Sequence, residues 1–155
     1  MSSALERHVR SLLTPLRCCW AFMLAAALAW AGLGLFAAPA GTPSGAPTPF
    51  TAAIAALGVL CAAAAVWIDR AVLTPGRIAG LVPLPDLALA RRHLLAGHLA
   101  LWSIAELPAL FGFAQLLLDG PLGTHLALCA VSLAILALLM PTRARVTARL
   151  EAVLR

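Results

Sequence analysis

Glu106 is the one carboxyl group that lies deep inside an apolar segment of this chain, near the middle of residues 94–118. An ionisable side chain at the centre of a membrane helix costs about 2.5–3.5 kcal/mol on insertion scales. Such residues therefore usually face the interior of a helix bundle or an aqueous path. The position of Glu106 predicts either a role in holding helices together or a role in carrying an ion.

Other polar side chains are predicted near Glu106. Ser103 lies three residues earlier on the same helical face, and Ser132 falls at a similar depth in the next apolar segment. This spacing predicts a small polar cluster at the membrane midplane. His98, Trp102 and Glu106 follow one another at intervals of four, so His98 is a candidate inner end of a proton path. The alternative is a histidine at the interface that simply satisfies its own hydrogen bonds.

Metal, haem and enzymatic chemistry have no sequence pattern to support them. His93 and His98 lie near one end of a predicted helix, and His125 lies about a membrane thickness away, so they cannot bind one haem together unless a second copy supplies a histidine. The cysteines form no CxxC pair and are expected to pack as small apolar residues. No nucleophile elbow, zinc-protease motif, dinucleotide fold motif or P-loop is present. We therefore predict no metal, no cofactor and no enzyme.

The composition places these residues in a membrane. Of the 155 residues, 63% are hydrophobic and 11% are charged, and the mean hydropathy is +0.98. Soluble domains are about 45–50% apolar and about 25% charged. A chain of this length cannot hide so much apolar surface inside a globule, because small domains bury a limited fraction of their surface. The sequence predicts one integral membrane domain over residues 1–155.

Four apolar segments are long enough to cross a bilayer, which takes about 20 residues. They cover residues 18–38, 50–68, 94–118 and 122–140, and proline or Asp119-Gly120 marks their ends. The predicted fold is an all-α, four-helix transmembrane bundle with short amphipathic ends. Trp30 and Trp102 lie deep in these segments and are interpreted as packing residues. Asp86 is expected to cap one long helix that runs from Leu87 to Leu118.

All eleven basic residues are arginine, and the formal net charge is +5. Alternating spans bring every arginine to one side, while the loops at 39–49 and 119–124 contain none. The positive-inside rule then predicts cytoplasmic termini and a cytoplasmic middle loop, in a bacterial inner membrane. This distribution favours topology and anionic lipid over nucleic acid as the reason for the charge. The arginines fall in three groups: Arg7, Arg10 and Arg17; Arg70, Arg77, Arg91 and Arg92; Arg143, Arg145, Arg149 and Arg155.

The segments 1–17 and 141–155 carry apolar residues on one helical face and arginines around it. This pattern is typical of helices that lie in the cytoplasmic interface. A cleaved signal peptide is the competing interpretation of the N-terminus, but the apolar segment of about 20 residues exceeds the usual 7–15. We expect anionic lipid or a protein partner to contact a set of five arginines: Arg91, Arg92, Arg143, Arg145 and Arg149.

The segment Ala105-Glu106-Leu107-Pro108-Ala109-Leu110-Phe111-Gly112-Phe113 resembles the ion-binding helix of the proteolipid c subunit of rotary ATPases. In that family a mid-membrane Glu is commonly followed, at the fifth and sixth positions, by an aromatic residue and Gly. The resemblance implies that Glu106 carries a proton or sodium ion and that Phe111 and Gly112 shape its packing. It covers about nine residues, and overall the chain is more like a small bacterial four-helix membrane protein.

Three hypotheses follow for the function, and the third is a sensor or anchor whose cytoplasmic Arg-rich segments bind a partner or anionic lipid. In the first, the chain is a non-enzymatic inner-membrane protein whose buried Glu106 mediates association between helices or between subunits. In the second, it is a proteolipid-like subunit in which Glu106 translocates a proton or sodium ion. Either of the first two hypotheses allows a homo-oligomer or a membrane complex, and none of the three involves nucleic acid.

Overall fold

The structure is a computed structural model that describes residues 3–37, 49–81 and 86–153. All regular structure in these residues is helical, which confirms the predicted all-α class for them. Within these residues six helices follow one another: α1 (Ser3–Ala37), α2 (Pro49–Ala71), α3 (Pro75–Leu81), α4 (Leu87–Leu117), α5 (Leu122–Leu138) and α6 (Arg143–Val153).

Three of these helices contain stretches long and apolar enough to cross a membrane, namely Leu5–Ala37, Pro49–Ala71 and Ala88–Leu117. α5 has 17 residues, which gives it a length of about 25 Å, against about 30 Å for the hydrocarbon core. It meets α6 at a bend of 58°, and the two helices make a fourth candidate only if they form one span. A multi-pass membrane protein with three or four spans fits these dimensions.

α1 and α4 run parallel to each other. Near their starts, Arg91 of α4 donates a hydrogen bond to the hydroxyl of Ser11 at 3.4 Å. Farther along both helices, Trp30 of α1 contacts Glu106 of α4 at 3.2 Å. Two contacts in the same order along both helices keep α1 beside α4 over most of their length.

A tight turn reverses the chain between α4 and α5. Asp119 adopts a left-handed backbone conformation with φ of 58°, which Asp tolerates better than most residues. The Gly120 N–H then donates to the carbonyl of Gln115 at 2.9 Å. A Cβ on Gly120 would lie 2.7 Å from that same oxygen, so only glycine fits. α5 therefore returns directly along α4, as the Asp119-Gly120 pair predicts.

α2 packs closely against α4 and α5 at Gly58. A Cβ at this position would lie 2.9 Å from the Leu128 side chain of α5 and 3.5 Å from the Cα atom of Pro108 of α4. Small residues let membrane helices approach in this way.

Pro108 also affects the hydrogen bonding within α4. Because proline has no N–H, the Ile104 carbonyl lacks its usual helical partner.

The N-terminal segment is the first part of α1, which continues without a break through Pro15. Its apolar face is buried: Leu5, Val9, Leu12 and Leu16 are at most 4% exposed. They belong to one core with residues from the three other helices at this end of the bundle, namely Ile78 of α3, Leu94 of α4, and Val146 and Leu150 of α6. The apolar faces that the sequence predicts at a lipid interface thus pack against one another. We call this assembly of the start of α1, α3, the start of α4 and α6 the Arg-rich end.

The middle loop contributes local structure to the Arg-rich end. Pro75 begins the short helix α3, a first-turn position that suits proline because its missing N–H has no intrahelical partner there. Asp86 caps α4 by accepting hydrogen bonds from the N–H groups of Ala88 and Leu89, at 2.8 and 3.2 Å. The predicted cap and the long helix after it are therefore present.

Burial of the N-terminal segment leads to a stability prediction. We expect Leu12→Ala, at a fully buried position, to destabilise the protein by about 2–5 kcal/mol through lost contacts and a cavity. Leu28→Ala is the matched control on the same helix, because Leu28 is 55% exposed on the apolar outer face. Thermal unfolding in one detergent compares the two variants. Equal losses for both would contradict the buried position of Leu12.

Candidate functional site

Glu106 forms a hydrogen bond between two candidate membrane spans. The indole Nε1–H of Trp30, on α1, donates to Oε1 of Glu106, on α4, at 3.2 Å. Both side chains are half-buried. The carboxyl group that the sequence singles out thus has a defined partner on another helix, and the contact joins α1 to α4 within their apolar stretches.

Aromatic contacts hold the indole of Trp30 in place. Its ring centroid lies 5.1 Å from that of Phe113, with the two planes at 45°. Phe113 comes seven residues after Glu106, so the two share one face of α4. Trp30 therefore lies along about two turns of α4, and its role includes a hydrogen bond in addition to the predicted packing.

His125 of α5 continues this series of contacts. Its ring lies 6.1 Å from that of Phe113, and the Sγ atom of Cys129 is 3.7–3.8 Å from the two ring nitrogens. A side chain at Gly34 of α1 would collide with the imidazole, and a Cβ at Gly112 of α4 would lie 3.1 Å from Nδ1. The fully buried His125 thus fills a slot that glycines on two other helices leave open.

The serines predicted beside Glu106 occupy other positions. The buried Ser132 hydroxyl accepts a hydrogen bond from the backbone N–H of Ala109 at 3.0 Å, directly after Pro108. Ser103 lies on an exposed face of α4. Ser132 therefore joins α5 to α4 at Ala109, one turn after Glu106. The hydrogen-bond partner of the Glu106 carboxyl comes instead from α1.

The two residues implied by the proteolipid resemblance are also located. Phe111 is half-buried on α4. Gly112 is buried and packs against His125 of α5, where the absence of a side chain makes room for the imidazole. Gly112 thus serves the packing of α4 on α5.

A second polar site, which we call the triad, consists of Asp69, His98 and Arg149. Arg149 Nη2 lies 2.6 Å from Asp69 Oδ1, and Arg149 Nη1 lies 2.9 Å from His98 Nε2. The three residues lie on three different helices: Asp69 near the end of α2, His98 on α4 and Arg149 on α6. One guanidinium group therefore connects three helices at the Arg-rich end.

The hydrogen bonds of the triad assign the tautomer of His98. A guanidinium group can only donate, so His98 Nε2 must accept from Arg149. The hydrogen then resides on Nδ1, which donates to the carbonyl of Leu94 at 2.7 Å. The arrangement requires a neutral imidazole with both ring nitrogens engaged.

Burial makes the triad energetically important. The side chains of Arg149 and Asp69 are 8% and 17% exposed. Removing one member of a buried ion pair typically costs about 3–5 kcal/mol, because the remaining charge has no partner. The triad therefore fixes α6 on α2 and α4 more firmly than a surface ion pair would.

The side chains of the predicted proton path each have their own partner. His98 bonds to Arg149 and Leu94, and its ring lies 5.4 Å from that of Trp102. The buried Trp102 indole donates to the carbonyl of Leu139 at 3.4 Å. Transfer from His98 to Glu106 remains a prediction, and the contacts described give His98 a structural role.

Arg149 differs from the other arginines that the sequence assigns to lipid or partner contact, because it is buried. The other four are exposed, and three of them make contacts within the chain: Arg91 with Ser11, Arg143 with Glu6 at 2.8 Å, and Arg145 with the carbonyl of Leu138 at 2.9 Å. The sequence patterns do not single out Asp69 as a site residue. The feature that could indicate it is an acidic residue at the edge of an apolar segment, in a chain with only six acidic residues.

A double-mutant cycle tests the triad. We expect Asp69→Asn and Arg149→Gln each to lower the free energy of unfolding by about 3–5 kcal/mol. The double variant should lose much less stability than the sum of the two single losses. The control is Glu6→Gln with Arg143→Gln, a pair at the same end whose side chains are 46% and 58% exposed. Exposed pairs contribute about 0–1 kcal/mol. Additive losses at Asp69 and Arg149, measured by denaturant unfolding in detergent, would contradict a coupled buried pair.

Within residues 3–37, 49–81 and 86–153, no group of three or more His, Cys, Asp or Glu residues could hold a metal ion. The four cysteines, at positions 18, 19, 61 and 129, are free thiols. No protein-family model, curated protein or solved structure matches the chain.

Proposed function

We propose that this chain is a small, non-enzymatic, polytopic membrane protein in which Glu106 mediates helix association. The observation that carries the proposal is the hydrogen bond from Trp30 Nε1–H to Glu106 Oε1, which joins α1 to α4. Lipid tails have no hydrogen-bonding groups, so an indole N–H and a carboxyl within the bilayer each gain by pairing. Measured couplings of this kind in membrane proteins average about 0.6 kcal/mol and reach about 1.7 kcal/mol.

We also propose the bacterial inner membrane as the location, with four spans and a cytoplasmic Arg-rich end. Contacts across the structure support this orientation, since they bring arginines from each of the three groups, within the described residues, to one end of the bundle. Arg91 contacts Ser11, Arg143 contacts Glu6 and Arg149 contacts Asp69. The turn between α4 and α5, at the other end, has no basic residue. This distribution is the one that the positive-inside rule describes.

The outer faces of the helices suit contact with lipid or with other membrane helices. Phe36 and Phe22 of α1 are 92% and 73% exposed, and Trp67 of α2 is 63% exposed. In water such a surface would aggregate. Anionic lipid bilayers are the proposed surroundings, and a second copy or another membrane protein is a proposed partner on these faces.

Substitutions at Glu106 test helix association. We expect Glu106→Gln to retain near-wild-type stability because the amide oxygen can still accept from Trp30. Glu106→Leu should lose about 0.6–1.7 kcal/mol, and adding Trp30→Phe to it should cost little more hydrogen-bond energy. Unfolding in detergent micelles gives the stabilities, and Ser103→Ala on the exposed face of α4 is the control. If Glu106→Leu is as stable as wild type, Glu106 does not hold the helices.

Ion translocation is the second candidate function, and the half-buried position of Glu106 favours it because the carboxyl is not sealed inside the bundle. A hydrophobic carbodiimide reacts with protonated carboxyls that it reaches from lipid, and mass spectrometry locates the adduct. An ion carrier should be labelled at Glu106 in native membranes, with protection by sodium or by rising pH. Its Glu106→Gln variant should assemble normally but lose ion flux in proteoliposomes. Absence of labelling at every pH would contradict ion exchange and leave the structural role.

A further inference from the structure

A groove of about 200 Å³ lies at the Arg-rich end between α1 and the start of α6. Five of its lining residues follow one face of α1 over about three turns, and the sixth comes from α6: Glu6, Val9, Arg10, Leu13, Arg17 and Arg143. We propose that this groove binds the phosphate group of an anionic phospholipid. The proposal rests on the membrane placement of α1 but not on the role of Glu106.

The charge in the groove favours an anion. Three guanidinium groups face one carboxylate, and Glu6 is already engaged by Arg143 at 2.8 Å and by Arg10 at 4.0 Å. Among the described residues these are the ion pairs at the groove, so Arg17 is left without a carboxylate. Guanidinium groups match the geometry of phosphate oxygens and bind them through two parallel hydrogen bonds. The groove therefore presents a net positive site with an unmatched donor fork.

The position of the groove selects a lipid phosphate. Arg17 is the last charged residue of α1 before the apolar stretch that begins at Cys18. Beside it, the Trp20 indole of α1 donates to the carbonyl of Leu136 in the last turn of α5, and Arg143 begins α6 shortly afterwards. Arg17 and Arg143 are thus held where two apolar helices reach the edge of the hydrocarbon region, and Arg10 lies about two turns before Arg17 on α1. Phospholipid phosphates lie at this depth.

The size and floor of the groove agree with a headgroup rather than a larger ligand. Pockets that bury drug-sized ligands measure about 300–1,000 Å³, and this groove is smaller. The half-buried Leu13 lines the groove beneath the arginines and offers apolar surface to the glycerol and first methylene groups that accompany a lipid phosphate. A freely soluble phosphate gains nothing from that apolar floor.

Lipid retention by the full chain tests the site. The protein is placed in nanodiscs of phosphatidylcholine with a minor fraction of phosphatidylglycerol, and native mass spectrometry counts the phosphatidylglycerol that remains bound after release. We expect Arg17→Gln to reduce retention about tenfold, the effect of losing a charge-assisted contact. Arg77→Gln is the matched control, because Arg77 is an exposed arginine of α3 at the same end and its loss changes the net charge equally. It should change retention less than about twofold.

Further variants and competitors keep the proposal falsifiable. Circular dichroism shows whether the Arg17→Gln variant folds. If that variant does not fold, Arg10→Gln replaces it and must show the same loss of lipid retention. Arg10 suits this purpose because it is a highly exposed side chain of the groove. Equal losses for Arg17→Gln and Arg77→Gln would overturn the site in favour of general surface charge. Displacement of the lipid by inorganic phosphate or glycerol phosphate would also overturn it, because the ligand would then be a soluble anion.

Discussion

An indole N–H that packs among apolar side chains or lipid tails needs a hydrogen-bond acceptor from the protein, and in this protein that constraint joins three helices. Trp20 of α1 donates to the carbonyl of Leu136 on α5 at 2.7 Å, and Trp102 of α4 donates to that of Leu139, which follows α5. Trp30 of α1 donates to Glu106 of α4. The three indole hydrogen bonds thus connect α1 with α5, α4 with the end of α5, and α1 with α4. The remaining helices pack against these three.

α4 is the element that both polar sites share. Glu106 and His98 are eight residues apart on it, which corresponds to about 12 Å along the helix axis. Around Glu106, α4 contacts α1 and α5 through small and aromatic residues. Around His98, it contacts α6 through the buried Arg149 guanidinium, which also binds the partly buried Asp69 of α2. The first site lies among uncharged neighbours, whereas the second brings opposite charges out of water together, so they stabilise the bundle by different means.

Apolar length and local capping explain what the sequence predicts well. The long helix after Asp86 and the turn at Asp119-Gly120 depend on adjacent residues, and both are present. The partners of Glu106 and Arg149 depend on helix packing and on the 58° bend between α5 and α6, which neither composition nor periodicity contains. In the sequence, nothing distinguishes Trp30 from a tryptophan that only packs, because its bond to Glu106 depends on the placement of α1 beside α4. Likewise, nothing distinguishes Arg149 from the neighbouring exposed arginines, because its burial depends on the packing of α6 near Asp69.

The separation of Asp69 and Arg149 along the chain matters during biosynthesis. The two residues are 80 positions apart, and chains grow at about 5–20 residues per second, so synthesis of that interval takes roughly 4–16 s. During this time α2 is already made, but Arg149, whose guanidinium pairs with the partly buried Asp69 carboxylate, is not. Asp69 of a nascent chain therefore has no Arg149 to pair with until α6 arrives, so the ion pair can form only late in the synthesis of the protein.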